Sequence, residues 1–162
     1  MTIKVPFRLL NIEGDGFHLQ VKAKINGKAA LVIIDTGASR TVFGRTEIAK
    51  YLHTEEIAEH DRVSTGLGTS TMQSQVVTLG SFSLGKIKIE KFPAVVLDLQ
   101  HVNQTYTAIG FAPIAGVLGS DVLVEYRAVI DFRKKTLSLH PPKKAPKKKA
   151  VKKSTTATRR AR

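Results

Sequence analysis

The sequence contains no cysteine, which excludes disulfide bonds and metal sites built on cysteine. Small secreted proteins often depend on disulfides, so this absence favours an intracellular setting. No apolar run approaches the roughly 20 residues that a membrane-spanning helix needs, and the first residues do not resemble a signal peptide. We therefore expect an intracellular, cytoplasmic protein.

Acidic residues are missing from positions 141–162, which hold seven lysines and three arginines. Of the formal net charge of +13, only +3 belongs to positions 1–140. The abrupt change predicts one domain over 1–140 and a disordered basic tail over 141–162. Residues 143–162 have the charge for nonspecific contact with nucleic acid or an anionic surface, although a solubilising extension explains them equally simply.

Many short apolar or alternating segments predict a mainly β, barrel-like domain with one or two short helices. Asn26-Gly27 favours a tight hairpin turn. The short helices are predicted at Arg45–His53 and Asp121–Glu125, with Asp121 as an N-cap. The predicted strands are Ile3–Leu10, Phe17–Ile25, Ala30–Ile34, Ser74–Leu79, Ser81–Ile89, Ala94–Leu97, Arg127–Phe132 and Thr136–Leu139.

The segment with the clearest chemistry places an acid at the end of a wholly apolar strand. Asp35 follows that strand, and the next residues are Thr36, Gly37, Ala38 and Ser39. A carboxylate buried there is costly unless neighbouring groups hydrogen-bond to it, and Gly37 allows backbone amides to approach. On the triplet Asp35-Thr36-Gly37 alone, an aspartate that stabilises a strand-end turn is the better interpretation.

Three further segments follow in an order that resembles the retropepsin-like aspartic peptidases, most closely their single-domain bacterial group. A glycine-spaced hairpin, formed by Thr65, Gly66, Leu67, Gly68 and Thr69, is similar to the family's flap. The segment Ala115–Leu123 resembles its apolar-apolar-glycine motif. Residues 128–139 resemble its closing hairpin.

The resemblance implies a closed acid-protease barrel with one lobe per chain, and it assigns roles to these residues. Asp35 becomes the catalytic carboxylate, and residues 36–39 support it. The flap residues cover a peptide or protein substrate, although a plain exposed turn would also explain them. Gly116, Leu118 and Gly119 give structural support by close packing beneath the active-site loop.

The implied reaction uses two carboxylates that face one water molecule and cannot both ionise. One takes a proton from the water while the other hydrogen-bonds the substrate carbonyl. The chain holds one such motif and no internal repeat, so the second Asp35 must come from a second copy in a homodimer. No metal or cofactor is implied.

One departure from the family limits what the resemblance says about substrates. Ser39 stands where retroviral members commonly carry an aspartate that holds the substrate backbone. Two alternatives to an aspartic endopeptidase also stay open. One is a dimeric binding or scaffold protein without proteolytic activity, and the other is a nucleic-acid-associated protein whose tail dominates its function.

Overall fold

The computed structural model describes residues 1–52, 61–63 and 73–142. Within them lie ten strands and three short helices, in agreement with the predicted mainly β class. The predicted flap, residues 65–69, and the tail from 143 onward lie outside the described residues. None of the helices in the described ranges is long and apolar enough to cross a membrane.

The strands follow one another along the chain with few interruptions. They are β1 (Ile3–Asn11), β2 (Phe17–Ile25), β3 (Lys28–Ile34), β4 (Val42–Gly44), β5 (Asp61–Val63), β6 (Gln73–Leu84), β7 (Ile87–Leu97), β8 (Gly116–Leu118), β9 (Val129–Asp131) and β10 (Thr136–Leu139). The helices are α1 (Arg45–Ile48), α2 (Gln100–Ala108) and α3 (Ser120–Glu125).

Six of the strands close into a barrel. Neighbours pair in the order β6-β7-β4-β8-β3-β2, and β2 pairs back to β6. Beyond β2 the sheet continues through β1 and β10 to β9. The first half of β1 pairs with β10 and its second half with β2, so β1 connects the barrel to this outer sheet.

The barrel interior is filled by large apolar side chains. Phe43, Phe82, Leu79 and Leu118 have no measurable exposure. The ring of Phe82 contacts Phe43 edge-on, with centroids 5.6 Å apart. Interdigitated packing of this kind makes the barrel a solid core, and the functional groups must therefore lie at its rim.

The Asn26-Gly27 turn is confirmed. Both residues take positive φ angles of 50° and 81°, as a two-residue hairpin turn requires, and Ile25 pairs with Lys28 across it. The predicted break at Gly80 is wrong, because β6 runs through that residue. The chain instead turns at Gly85, whose φ is +56°.

The helix predictions also need correction. α1 covers Arg45–Ile48, where a helix over Arg45–His53 was predicted. α3 begins at Ser120 and its N-cap is Gly119, so Asp121 lies inside the first turn. Its carboxylate bonds to residues elsewhere in the fold, as described below. α2 was not predicted, because its sequence is polar and contains β-branched residues with weak helix propensity.

Candidate active site

Asp35 lies where β3 leaves the barrel. Val32 and Ile34 of β3 are buried, and β3 pairs in parallel with β8, so Ile34 is opposite Leu118. The strand ends there, but the Asp35 backbone N–H still donates to the Leu118 carbonyl over 3.0 Å. The fold thus brings the carboxylate to an exposed rim at the end of a buried strand.

The turn after Asp35 is held by its own side chain. The Gly37 N–H donates to Asp35 Oδ1 over 2.8 Å. A Cβ atom at Gly37 would lie 3.2 Å from the same oxygen, which is a tight contact. A larger residue would therefore crowd the carboxylate that the amide orients.

The start of α3 secures the other side of the turn. Ser120 Oγ donates to the Ala38 carbonyl over 2.8 Å and lies 3.1 Å from the Thr36 carbonyl. The Ser120 N–H also donates to Ala38 O over 2.8 Å. Because Ser120 lies two residues after the end of β8, one segment bonds both Asp35 and the turn beyond it.

The two glycines of the β8 segment lie in close contact with neighbouring backbone. A Cβ atom on Gly119 would lie 2.4 Å from the Arg40 carbonyl carbon and oxygen. On Gly116 it would lie 2.2 Å from the Val42 carbonyl oxygen. Leu118, between them, is fully buried. These contacts pack the β8 segment closely against Arg40 and β4, and the predicted role of the three residues in supporting the active-site loop stays a prediction.

A cavity of about 540 Å³ opens beside Asp35 and Thr36. Its walls come mostly from apolar side chains, and several elements besides β3 contribute to them. These include the start of β2 with Phe17 and His18, α2 with Val102 and Tyr106, β8 with Val117, and β9 and the residue after it with Ile130 and Phe132. Ser39, in contrast, is exposed and does not line the cavity.

Sequence reasoning missed most of these wall residues. Phe17 and His18 were assigned to a strand without a role, and α2 was not predicted. Phe17 is 59% exposed and Phe132 is 57% exposed, although both are large apolar residues. Exposed aromatic side chains next to a cleft often mark a binding surface, but the sequence alone does not reveal that they are exposed.

The wall formed by α2 contains the titratable Tyr106, whose ring is buried. Burial raises its pKa above the ordinary value of a tyrosine. The hydroxyl therefore keeps its proton throughout the physiological range. Among the described residues, no group of three or more His, Asp or Glu side chains is arranged to hold a metal ion.

β5 pairs with the beginning of β6, with Val63 opposite Gln73. The flap predicted at Thr65, Gly66, Leu67, Gly68 and Thr69 falls between these strands in the sequence, outside the described residues. Its assignment stays a prediction.

Comparisons with known proteins agree with this geometry. Residues 21–122 match the family model described as aspartyl protease. No protein of curated function has a sequence that matches the chain significantly.

Three solved structures are similar in fold. A retropepsin-like aspartic protease from Rickettsia conorii has a TM-score of 0.53 at 20% identity, over 86% of this chain and 89% of that one. The retroviral protease-like domain of Ddi1 from Leishmania major has a TM-score of 0.52 at 16% identity, over 75% and 87%. The EIAV protease complexed with the inhibitor HBY-793 has a TM-score of 0.50 at 16% identity, over 70% and 91%.

These likenesses confirm the predicted fold, a single retropepsin-like lobe. The family model spans more than half of the sequence, from β2 through the β3 turn to the start of α3. The chain therefore belongs to the aspartyl protease family.

Proposed function

We propose that this chain is an aspartic endopeptidase that acts as a homodimer, with one Asp35 from each copy. The observation that carries the proposal is the position of Asp35. It is exposed at the end of a buried strand, its Oδ1 is oriented by the Gly37 amide, and it borders a mostly apolar cavity. This combination suits a carboxylate that acts on a bound molecule in addition to holding its turn.

The proposed chemistry requires a second carboxylate. Two carboxylates held close together share one proton, so one acts as general base on water while the other donates to the substrate carbonyl. The water oxygen forms a bond to the carbonyl carbon, and the peptide C–N bond breaks as its nitrogen takes up a proton. The chain supplies one Asp35, and a two-fold axis beside it would supply the partner.

The outer sheet offers a surface for that partner. Within the described residues, β9 pairs with β10 alone and ends the sheet. Val129 of β9 is 54% exposed and Val124 of α3 is 74% exposed. Phe132, just beyond β9, borders the cavity that contains Asp35. An unpaired apolar edge beside half an active site favours pairing of β9 with β9 of a second copy.

Asp35→Asn tests the proposal directly. The amide cannot take a proton from water, so we expect hydrolysis of casein to fall about a thousandfold or more, measured by fragment release in mass spectrometry. Asp35 is exposed and the amide still accepts from Gly37, so the fold should persist by circular dichroism.

The matched control is Asp15→Asn, which removes an exposed carboxylate from the β1–β2 turn and should leave hydrolysis unchanged. Undiminished cleavage by a folded Asp35→Asn protein would contradict the proposal. Absence of cleavage in the wild type would instead favour a binding or scaffold protein.

A further inference from the structure

A polar pair lies in the otherwise apolar wall of the cavity beside Asp35. His18 Nδ1 and Tyr106 Oη are 2.5 Å apart, and the two rings meet edge-on with centroids 5.8 Å apart. Phe17 and Val102, which precede His18 and Tyr106 on the same two elements, contribute apolar surface to that wall. The pair therefore offers one polar contact on a cavity wall that otherwise favours apolar groups.

The direction of this hydrogen bond determines which nitrogen of His18 stays available. Burial raises the pKa of Tyr106, so its hydroxyl keeps its proton and is able to donate to Nδ1 of a neutral imidazole, and we take the bond in this direction. The neutral ring must then carry its own proton on Nε2. A protonated ring carries a proton there as well. In both states His18 offers an Nε2–H donor, and its residue is exposed at the cavity.

The partner that orients His18 is itself firmly held. Asn103, one turn earlier in α2, donates to the Ile114 carbonyl over 3.1 Å and accepts from the Ile114 N–H over 2.8 Å. The Tyr106 ring packs edge-on against Phe111 at 6.4 Å and belongs to a buried cluster with Leu10. A donor whose partner is fixed before binding loses little freedom when a ligand arrives.

We propose that His18, held by Tyr106, selects a substrate side chain with an apolar stem and a neutral acceptor oxygen, for which glutamine is the best match. This rests on the proposed function and assigns a substrate preference to the same cleft. The apolar walls would bury the stem, and the Nε2–H would bond the amide oxygen. A leucine side chain would leave that donor without an acceptor, and a glutamate would bring its charge close to Asp35.

The experiment uses synthetic peptides built around one bond that the wild type cleaves in casein or, if casein is not cleaved, around the central bond of an extended casein segment. Each residue flanking that bond is varied in turn among glutamine, glutamate and leucine, and kcat/KM is measured. We expect glutamine to be preferred at one of the two positions. In His18→Phe and in Tyr106→Phe the ratio of glutamine to leucine should fall about fivefold, the size of one hydrogen bond. Gln104→Ala, an exposed change on the same helix, should leave the ratio unchanged.

The ratio separates this inference from the proposed function. Continued cleavage with an unchanged ratio in His18→Phe would overturn the selectivity and leave the peptidase intact. If the wild type cleaves no peptide, the same peptides are titrated onto it. Equal affinities for glutamine and leucine would then overturn the inference, and a glutamine preference that His18→Phe loses would support it.

A second measurement does not depend on activity. Nitrogen NMR of the wild type should show the neutral His18 ring protonated at Nε2, and Tyr106→Phe should shift the ring toward a mixture of both tautomers. A ring protonated at Nδ1 in the wild type would contradict the geometry on which the inference rests.

Discussion

Thr41 is 1% exposed, and its N–H and hydroxyl both need acceptors. Asp121 supplies them. Its two oxygens each lie 2.9 Å from Thr41 N, and the Thr41 hydroxyl donates to Oδ1 over 2.7 Å. The Gly119 N–H in turn donates to Thr41 Oγ1 over 3.1 Å. Through these bonds, one carboxylate fixes the loop after Asp35 to the segment that supports it.

Asp121→Ala should therefore destabilise the protein by about 2–4 kcal/mol, because it leaves two buried donors of Thr41 without acceptors. Urea denaturation measures the loss. Asp121→Asn keeps one acceptor oxygen and should lose clearly less. Equal stability of the alanine and asparagine variants would show that the hydrogen bonds at Asp121 contribute little.

The same residue shows what local sequence patterns miss. Asp121 was predicted as an N-cap because it precedes an apolar helical segment. Its carboxylate does bond the next N–H, that of Val122, over 2.8 Å. Its main partner, however, is 80 positions away in the chain. Local patterns carry no information about a partner so far away in the sequence. Asp121 was therefore recognised as important for α3, but its bonds to Thr41 were not predicted.

At the scale of elements, α2 exists because of contacts outside itself. Its sequence has weak helix propensity, although Asp98 Oδ1 accepts from the Gln100 N–H at its N-terminus over 2.8 Å. Buried Asn103 binds both polar groups of Ile114, and buried Tyr106 packs against the wall of the cavity. A helix whose stability comes from tertiary contacts gives no clear signal in the sequence.

Asn103→Ala should cost about 2–4 kcal/mol of stability, since the Ile114 N–H and carbonyl would be left buried without partners. Faster hydrogen exchange of the α2 amides should accompany the loss. Gln104→Ala, at the exposed neighbouring position, provides the comparison. If both variants exchange and unfold alike, α2 does not depend on Asn103.

The β6–β7 hairpin shows a further limit of sequence reasoning. Two strands, Ser74–Leu79 and Ser81–Ile89, were predicted on either side of Gly80. β6 instead passes through Gly80 and then pairs with β2, with Leu84 opposite Ala23, which closes the barrel. The predicted strands elsewhere were largely correct, and β2 and β10 match to the residue. The alternation of apolar and polar residues predicts that a strand forms. Where that strand ends depends on its pairing with distant strands when the barrel closes.

For the whole molecule, the mainly β class followed from the many short apolar or alternating segments in the sequence. The six-strand ring did not, because closure depends on pairing between residues that are far apart in sequence. The single Asp35 motif predicted half of an active site. The cavity wall from α2, β2 and β9 could be seen only once the chain was folded.

The dimer proposal makes a quantitative prediction. Wild-type and Asp35→Asn chains, unfolded together in equal amounts and refolded, should form mixed dimers that lack one carboxylate. The reference is a sample of wild type alone at the same total chain concentration. Relative to it, activity should fall to about one quarter, the share of dimers with two intact copies. An activity of about three quarters would mean that one Asp35 per dimer suffices, and about one half would mean that each chain works alone.

β1 pairs with β10 over its first half and with β2 over its second half, and this has a consequence for folding during synthesis. Ile3 pairs with Leu139, so the first half of β1 waits for its partner until the last described strand has left the ribosome. The Asp35 turn likewise depends on Leu118 and Ser120. Long-range pairings of this kind form slowly and late. A nascent chain therefore carries Asp35 for most of its synthesis without the contacts that hold its turn. Under the proposed function, neighbouring nascent proteins would escape hydrolysis during that time.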